Sequence, residues 1–211
     1  MSINQVDLGN CIILFENVFN PDGFIEELES ECAQTWGYLS WYMSKVGTSS
    51  QQSERPDYRS SLACNLGVLA TPILAIADNR ILPLAEKWQK IHADIEKTVW
   101  MYRNMYNINV TQDEGFLVNK YAHGAEYKGH VDHHPSNERV FSCVAFLNDN
   151  FHGGELVFPL QNITIKPKTG SIVFFPSNFP YFHYANQVGV NNAESLSVSN
   201  DIKYSVVTWF R

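Results

Sequence analysis

The chain has 211 residues, 45% hydrophobic and only 18% charged, which excludes a solvated low-complexity tail and leaves enough apolar surface for one buried core. Its formal net charge of -7 argues against nucleic acid as a partner, because phosphate-tracking surfaces cluster Lys and Arg. No basic region precedes the short apolar run CIILF and no run is long enough for a membrane span, so the expected location is cytoplasmic, with no membrane partner. The four cysteines, Cys11, Cys32, Cys64 and Cys143, are scattered without a CxxC pair and read as small buried hydrophobes of a reducing compartment.

In chain order, CIILFENVF alternates like a strand. NPDGFIEELESECAQTW then reads as a helix, with Asn20 or Asp22 as its cap and acids in the first turn. The polar stretch 44–61, SKVGTSSQQSERPDYRSS, lacks apolar periodicity and is expected to be a mobile loop. LPLAEKWQKIHADIEKTVWMYRNMYN sets Leu84, Trp88, Ile91, Ile95, Val99 and Tyr102 at helical intervals, so it predicts a long amphipathic helix. His92 falls on its polar side, as a surface histidine.

After Thr111 the pattern changes to eight short strands: GFLVNKY, YKGHVD, RVFSCVAFLN, GELVF, NITIKP, SIVFFP, YFHYAN and KYSVVTWF. Helices first and strands after predict an α+β fold. Its expected form is a double-stranded β-helix, or jelly roll, of eight core strands with the N-terminal helices packed on one sheet. The expectation is a single domain over 1–211, in which 1–111 is strand, helix and loop support and 112–211 is the jelly-roll core. The mouth of such a barrel is a natural ligand cavity.

The stretch EYKGHVDHH carries three histidines and an aspartate. On an extended strand residues two apart share a side, so His130 and Asp132 converge as two metal ligands. Candidates for a third are His123, His133, His134, His152 and His183. His133 faces the other way if the strand continues, and His134 lies next to a turn at Pro135. His123 and His152 sit in AHG and FHGG turns, where a solvated histidine is the plainer reading. His183 lies inside an aromatic strand, where burial without a partner is costly.

The last strand, DIKYSVVTWF, places Lys203, Ser205, Val207 and Trp209 on one face and Tyr204, Val206, Thr208 and Phe210 on the other, apolar on both. Lys203 therefore needs an exit to solvent or an anion inside the barrel. Two histidines and a carboxylate with open positions form the facial set of non-heme Fe(II) oxygenases, whereas zinc more often takes a closed N/S set. A buried cation facing such a site suits a co-substrate with a distal carboxylate, 2-oxoglutarate.

The blocks YAHGAEYKGHVD, FSCVAFLNDNFHGGELVFP, IKPKTGSIVFFPS, HYANQV and KYSVVTWF, in that order over 115–211, resemble the prolyl-4-hydroxylase-like 2-oxoglutarate/Fe(II) dioxygenases. ILFENVFNPDGFIEEL and YRSS fit more loosely, resembling that family's N-terminal strand-helix and the start of its substrate loop. The resemblance implies that His130, Asp132 and His183 ligate Fe(II) and that Lys203 binds the distal carboxylate of 2-oxoglutarate. It implies that Tyr121 and Tyr127 line the cosubstrate and substrate pocket, that Arg139 is a substrate-side arginine, and that Trp209 is the tryptophan of the last strand.

The implied reaction uses O2 and 2-oxoglutarate, with ascorbate as reductant, and releases succinate and CO2. A peptide or protein substrate, hydroxylated at proline, is expected; another side chain or a small metabolite is the alternative. With Asp132 present, hydroxylation is the expected outcome. The chain departs from the family at Leu156, where many relatives have threonine, and at Phe146, where some have tyrosine. Ser205 or Tyr121 can supply the missing hydroxyl. The polar insertion 189–202 and the 44–61 loop would act as lids. The rival readings are a cupin-like metal isomerase or thiol dioxygenase, and a jelly-roll binding module that has lost its metal.

Overall fold

Alternating apolar residues in the second half of the chain build two antiparallel sheets that face each other. The computed structural model describes residues 2–35, 37–48, 51–70, 79–110, 112–136, 138–190 and 200–211. Its N-terminal part comprises β1 (Asn4–Asp7), β2 (Ile13–Glu16), α1 (Phe24–Cys32), β3 (Tyr42–Met43), β4 (Lys45–Thr48), β5 (Gln51–Glu54), β6 (Leu62–Asn65) and α2 (Leu82–Tyr106). There follow β7 (Leu117–Tyr121), β8 (Tyr127–His130), β9 (Phe141–Phe146), β10 (Leu156–Phe158), β11 (Ile163–Ile165), β12 (Ile172–Pro176), β13 (His183–Ala185) and β14 (Lys203–Phe210).

The larger sheet runs β1-β2-β12-β9-β14-β7-β6-β3, and the smaller runs β11-β10-β13-β8. The eight strands expected from the sequence are all present and divide equally, β12, β9, β14 and β7 facing β11, β10, β13 and β8. This is the double-stranded β-helix. The N-terminal strands extend the larger sheet at both edges rather than forming a separate layer.

The outer face of the larger sheet carries the helices. Trp88, Ile91, Ile95, Val99 and Tyr102 of α2 are buried in one cluster with Cys143, Ala145, Phe174, Val206 and Phe210 of the sheet. Tyr102 stacks on Phe174 with centroids 5.1 Å apart. Burying each such side chain contributes about 1.5–3 kcal/mol, which is what clamps α2 to the barrel. The helix stops at Asn107, whose φ of 51° is left-handed and whose N–H reaches back to the carbonyls of Arg103 and Asn104. Between the sheets, Ile12, Phe146, Leu156, Phe158, Val173 and Phe175 fill one end of the barrel. The other end is left for polar side chains.

Several N-terminal expectations need correction. Neither Asn20 nor Asp22 caps α1: the two hydrogen-bond each other, Asn20 Nδ2 donating to Asp22 Oδ2 at 2.6 Å, and Gly23, at φ 70°, takes the cap position. The glycine makes the left-handed entry accessible, so the polar pair closes a turn one step earlier. The stretch 44–61 is not simply a loop. Within it β4 and β5 pair antiparallel from Lys45↔Glu54 inward, which needs no apolar periodicity. His92 does lie at the surface as expected, its side chain 39% exposed and its ring 4.8 Å from Phe116. β1, a polar strand zipped to β2, had no sequence signal. Residues 191–199 of the insertion lie outside the described residues. Among the described residues no helix is long and apolar enough to cross a membrane.

Candidate metal centre

His130 and His183 are directly paired residues on β8 and β13, and their ring centroids lie 4.3 Å apart. Each ring is oriented by its own strand. Nδ1 of His130 lies 2.9 Å from the Lys128 carbonyl, and Nδ1 of His183 lies 2.9 Å from the Tyr181 carbonyl. A carbonyl only accepts, so both Nδ1 atoms carry the proton and both Nε2 lone pairs are free. These Nε2 atoms point to one carboxylate: His130 Nε2 is 3.5 Å from Asp132 Oδ1, and His183 Nε2 is 3.8 Å from Asp132 Oδ2.

Strand alternation does not bring Asp132 there, contrary to the reading of YKGHVD as one continuous strand. β8 ends at His130, and Asp132 lies beyond it. Other contacts hold it. Ser142 Oγ donates to Asp132 Oδ2 at 2.6 Å and lies 2.8 Å from Ser177 Oγ. Arg139 Nη1 binds the Asp132 carbonyl at 3.3 Å, and the His133 N–H donates to the Ser177 carbonyl at 2.8 Å.

Burial alone would raise the Asp132 carboxyl, but the neighbouring His183 and His130 and the Ser142 hydrogen bond outweigh it and hold the group well below the usual range. Burial, then proximity to His130, lowers His183 to about 4 against the pull of Asp132. At neutral pH the carboxylate is ionised and this imidazole is neutral, the protonation states that metal ligation requires. The three donor atoms lie within 4.8 Å of one another. Two imidazole nitrogens and one carboxylate on one side of a point fit a hard-to-borderline divalent ion with open positions, as Fe(II) takes in facial sites.

The cavity beside this cluster lies between the sheets and ends at Lys203. The β14 alternation holds as expected: Lys203, Ser205, Val207 and Trp209 all line it. Lys203 is 3% exposed. Its Nζ donates to the Gly154 carbonyl at 2.6 Å and lies over the rings of Tyr121 and Phe146 at 5.2 and 5.6 Å. Gly154 has φ 67°, and a Cβ there would stand 3.1 Å from Lys203 Cδ, so glycine both makes the turn and leaves space for the lysine stem. Burial lowers Lys203 to about 8, partly offset by Glu155. Among the described residues no carboxylate forms a salt bridge with it, so its charge is available to a ligand. Tyr121 is its register partner across β7 and β14, and Ser205 follows two residues on. Leu156 and Phe146, where family hydroxyls are absent, are apolar walls of the same cavity.

Two further residues were not singled out from the sequence. Arg59 is buried, with no acidic partner among the described residues: Nη2 donates to Asn119 Oδ1 at 2.8 Å and Nε to Ser61 Oγ at 3.2 Å. Asn119 and Arg59 both line the cavity. A signal for Asn119 existed, since it shares a strand face with Leu117 and Tyr121. For Arg59 the loose YRSS resemblance covered the position without assigning it a role, because its setting is made by distant chain. Backbone bonds from Lys128 N–H to the Tyr58 carbonyl and from Ser60 N–H to the Glu126 carbonyl lay residues 58–60 along the free edge of β8 as a strap. The Tyr58 hydroxyl donates to the Gly129 carbonyl.

Tyr127 lines the cavity and stacks on His130, with centroids 3.7 Å apart. Arg139 does not point its charge into the cavity. Its guanidinium binds Glu114 through two bonds of 3.0 and 2.6 Å and sits 3.8 Å above the Trp209 ring, so it braces a cavity wall. The remaining histidines lie outside the cluster. His133 Nδ1 faces the Arg139 carbonyl, His134 Nδ1 faces Ser136 Oγ, His152 Nδ1 contacts Asp201 Oδ2, and the His123 ring packs against Gly189.

Comparison with known proteins adds to this geometry. Residues 116–211 match the model of the 2OG-Fe(II) oxygenase superfamily. No curated protein matches the chain. Among solved structures, a prolyl hydroxylase from Trichoplax adhaerens in complex with a hypoxia inducible factor oxygen degradation domain peptide fragment aligns with TM-score 0.66 at 15% identity, over 95% of this chain and 83% of that one. A Pseudomonas putida prolyl-4-hydroxylase aligns with TM-score 0.62 at 18% identity, over 95% and 91%. The viral collagen prolyl hydroxylase from Paramecium Bursaria Chlorella virus-1, as its 2OG complex, aligns with TM-score 0.55 at 15% identity, over 96% of each. At these identities the likeness is one of fold.

Proposed function

We propose that the chain is a 2-oxoglutarate-dependent dioxygenase that hydroxylates a peptidyl proline, a reading supported by the match of residues 116–211 to the 2OG-Fe(II) oxygenase superfamily. The observation that carries the reading is the His130, Asp132 and His183 cluster and the unpaired Lys203 charge on the walls of one cavity. The proline assignment draws support from the aligned structures, which are prolyl hydroxylases, one holding a peptide fragment.

When bound, Fe(II) and 2-oxoglutarate supply the oxidising chemistry: O2 is reduced as 2-oxoglutarate loses CO2 to become succinate, and one oxygen atom enters the substrate C–H bond. The protein residues provide position. His130, Asp132 and His183 hold the metal from one side. Lys203 takes the distal carboxylate, with the Tyr121 and Ser205 hydroxyls flanking it. Phe146, Leu156 and Val207 keep water from this end of the cavity, which strengthens the charge pairing. Tyr127, fixed by His130 and Arg59, would stand at the substrate end of the cavity when the three ligands hold a metal. Trp209 forms a wall braced by Arg139, which we assign to support rather than to direct substrate contact. Ascorbate is assigned the role of reductant for iron oxidised without substrate.

The test is mass spectrometry of proline-containing and proline-free peptides after incubation with enzyme, Fe(II), 2-oxoglutarate and ascorbate. Gain of one oxygen atom on a proline, with stoichiometric succinate, is expected. Oxygen gained on another side chain would overturn the proline assignment, and 2-oxoglutarate that neither binds nor turns over would overturn the enzyme reading.

A further inference from the structure

Cys32 is the last residue of α1 and Cys64 lies within β6, and their sulfurs stand 3.9 Å apart. Both thiols are free; Cys64 is fully buried and Cys32 is half-buried. A disulfide requires an S–S distance of about 2.05 Å, so closure needs roughly 2 Å of travel. Cys32 ends a helix of nine residues, where the backbone gives most readily. Between the two cysteines lie β3, the paired strands β4 and β5, and the 58–60 strap whose Arg59 lines the cavity. The two sulfurs therefore bracket, in sequence, the strap beside β8.

We propose that Cys32 and Cys64 form a redox modification site, at which a peroxide joins them as a disulfide and closes a covalent loop around the strap segment. The Cys32 S–H donates to Cys64, so Cys64 releases its proton more readily than an ordinary thiol while Cys32 retains its own. The Cys64 thiolate attacks hydrogen peroxide: an S–O bond forms, the O–O bond breaks, and hydroxide leaves and is protonated to water. Cys32 then attacks the Cys64 sulfur, the S–S bond forms, the S–O bond breaks, and the departing hydroxide takes the Cys32 proton. Two thiols lose two electrons and two protons, and one peroxide becomes two waters.

The bond ties α1 to β6 and restrains the strap against β8, so the oxidised enzyme turns over a peptide more slowly; this part alone rests on the hydroxylase reading. The experiment treats the full-length, metal-free protein with hydrogen peroxide and follows intact mass, peptide mapping and thermal melting. Expected are loss of the mass of two hydrogens, a cross-linked peptide pair containing Cys32 and Cys64, and a Tm raised by roughly 5–10 °C, reversed by dithiothreitol. Cys32→Ser, at the more exposed of the two positions, abolishes all three, and Cys11→Ser leaves them intact. Separate oxygen addition to the two sulfurs, cross-linking between molecules, or an unshifted Tm in the cross-linked protein would each overturn the proposal. Because bond formation is read without iron or 2-oxoglutarate, its failure leaves the hydroxylase reading standing, and absence of turnover in both redox states sinks that reading alone.

Discussion

Arg59 lies over Tyr127, its guanidinium carbon 4.5 Å from the ring centroid, and the same ring stacks on His130 at 3.7 Å. A chain of three planar groups thus runs from the strap to His130 of the candidate metal centre. Arg59 also has fixed donors to Asn119 and Ser61, which an ammonium cannot reproduce in one plane. Arg59→Lys should therefore retain metal binding but lower kcat/KM for a peptide by on the order of 10-fold, about 1.4 kcal/mol of transition-state positioning. Steady-state kinetics beside Mn(II) titration would check this; unchanged kinetics would remove Arg59 from the site.

The ligand set gives a prediction that does not depend on turnover. His183→Ala removes one of three donors and should abolish the Tm increase that Mn(II) or Fe(II) confers by binding the folded state. Ser142→Ala leaves the ligands in place but frees one Asp132 oxygen, and should weaken metal affinity about 10- to 100-fold, with Ser142→Thr restoring it. If Ser142→Ala binds metal as tightly as the parent, the serine pair has no part in holding Asp132.

Lys203 sets a pH dependence with two opposite signs. Its value of about 8 means that the charge is present below that pH and lost above it. The Michaelis constant for 2-oxoglutarate should rise as pH passes through about 8, and Lys203→Met should raise it throughout and flatten the profile. Stability of the ligand-free protein moves the other way. Because the folded value is depressed from 10.5, the unfolded chain binds more protons between about 8 and 10.5, and this group's burial penalty is relieved as pH climbs through that window. A flat 2-oxoglutarate profile in the parent enzyme would contradict the assignment.

Arg139 and Glu114 should behave as a unit. Removing either leaves the other partly buried and unpaired, so Arg139→Ala and Glu114→Ala should each cost about 2 kcal/mol in denaturant unfolding. The double variant should cost much less than the sum. A rise in peptide KM seen with Arg139→Ala but not with Glu114→Ala would instead return Arg139 to the substrate.

These residues also mark where sequence reading works. The faces of β14 follow from a strict period of two, and the buried side of α2 from a period near 3.6, so both were legible without a structure. His130 and His183 meet only because β8 and β13 pair in one register, a non-local fact that residue spacing cannot carry and that only the family resemblance suggested. Asp132 was expected as a ligand for a reason that does not hold, since the strand ends before it and Ser142 supports it from another sheet. Arg139 was placed by resemblance alone, and the acid that captures it lies 25 residues away in a polar connection. Arg59 sits in a stretch whose order comes from backbone pairing to β8, which leaves no hydrophobic period to detect.

β8 is the outermost strand of the smaller sheet, and the strap occupies the edge it would otherwise show to solvent. An uncovered strand edge is a template for another chain. If residues 58–60 left that edge, the backbone donors and acceptors beside His130 would be exposed, and an extended peptide could pair with them as the strap does. The same exposure would invite self-association, so these three residues protect both the candidate metal centre and colloidal stability.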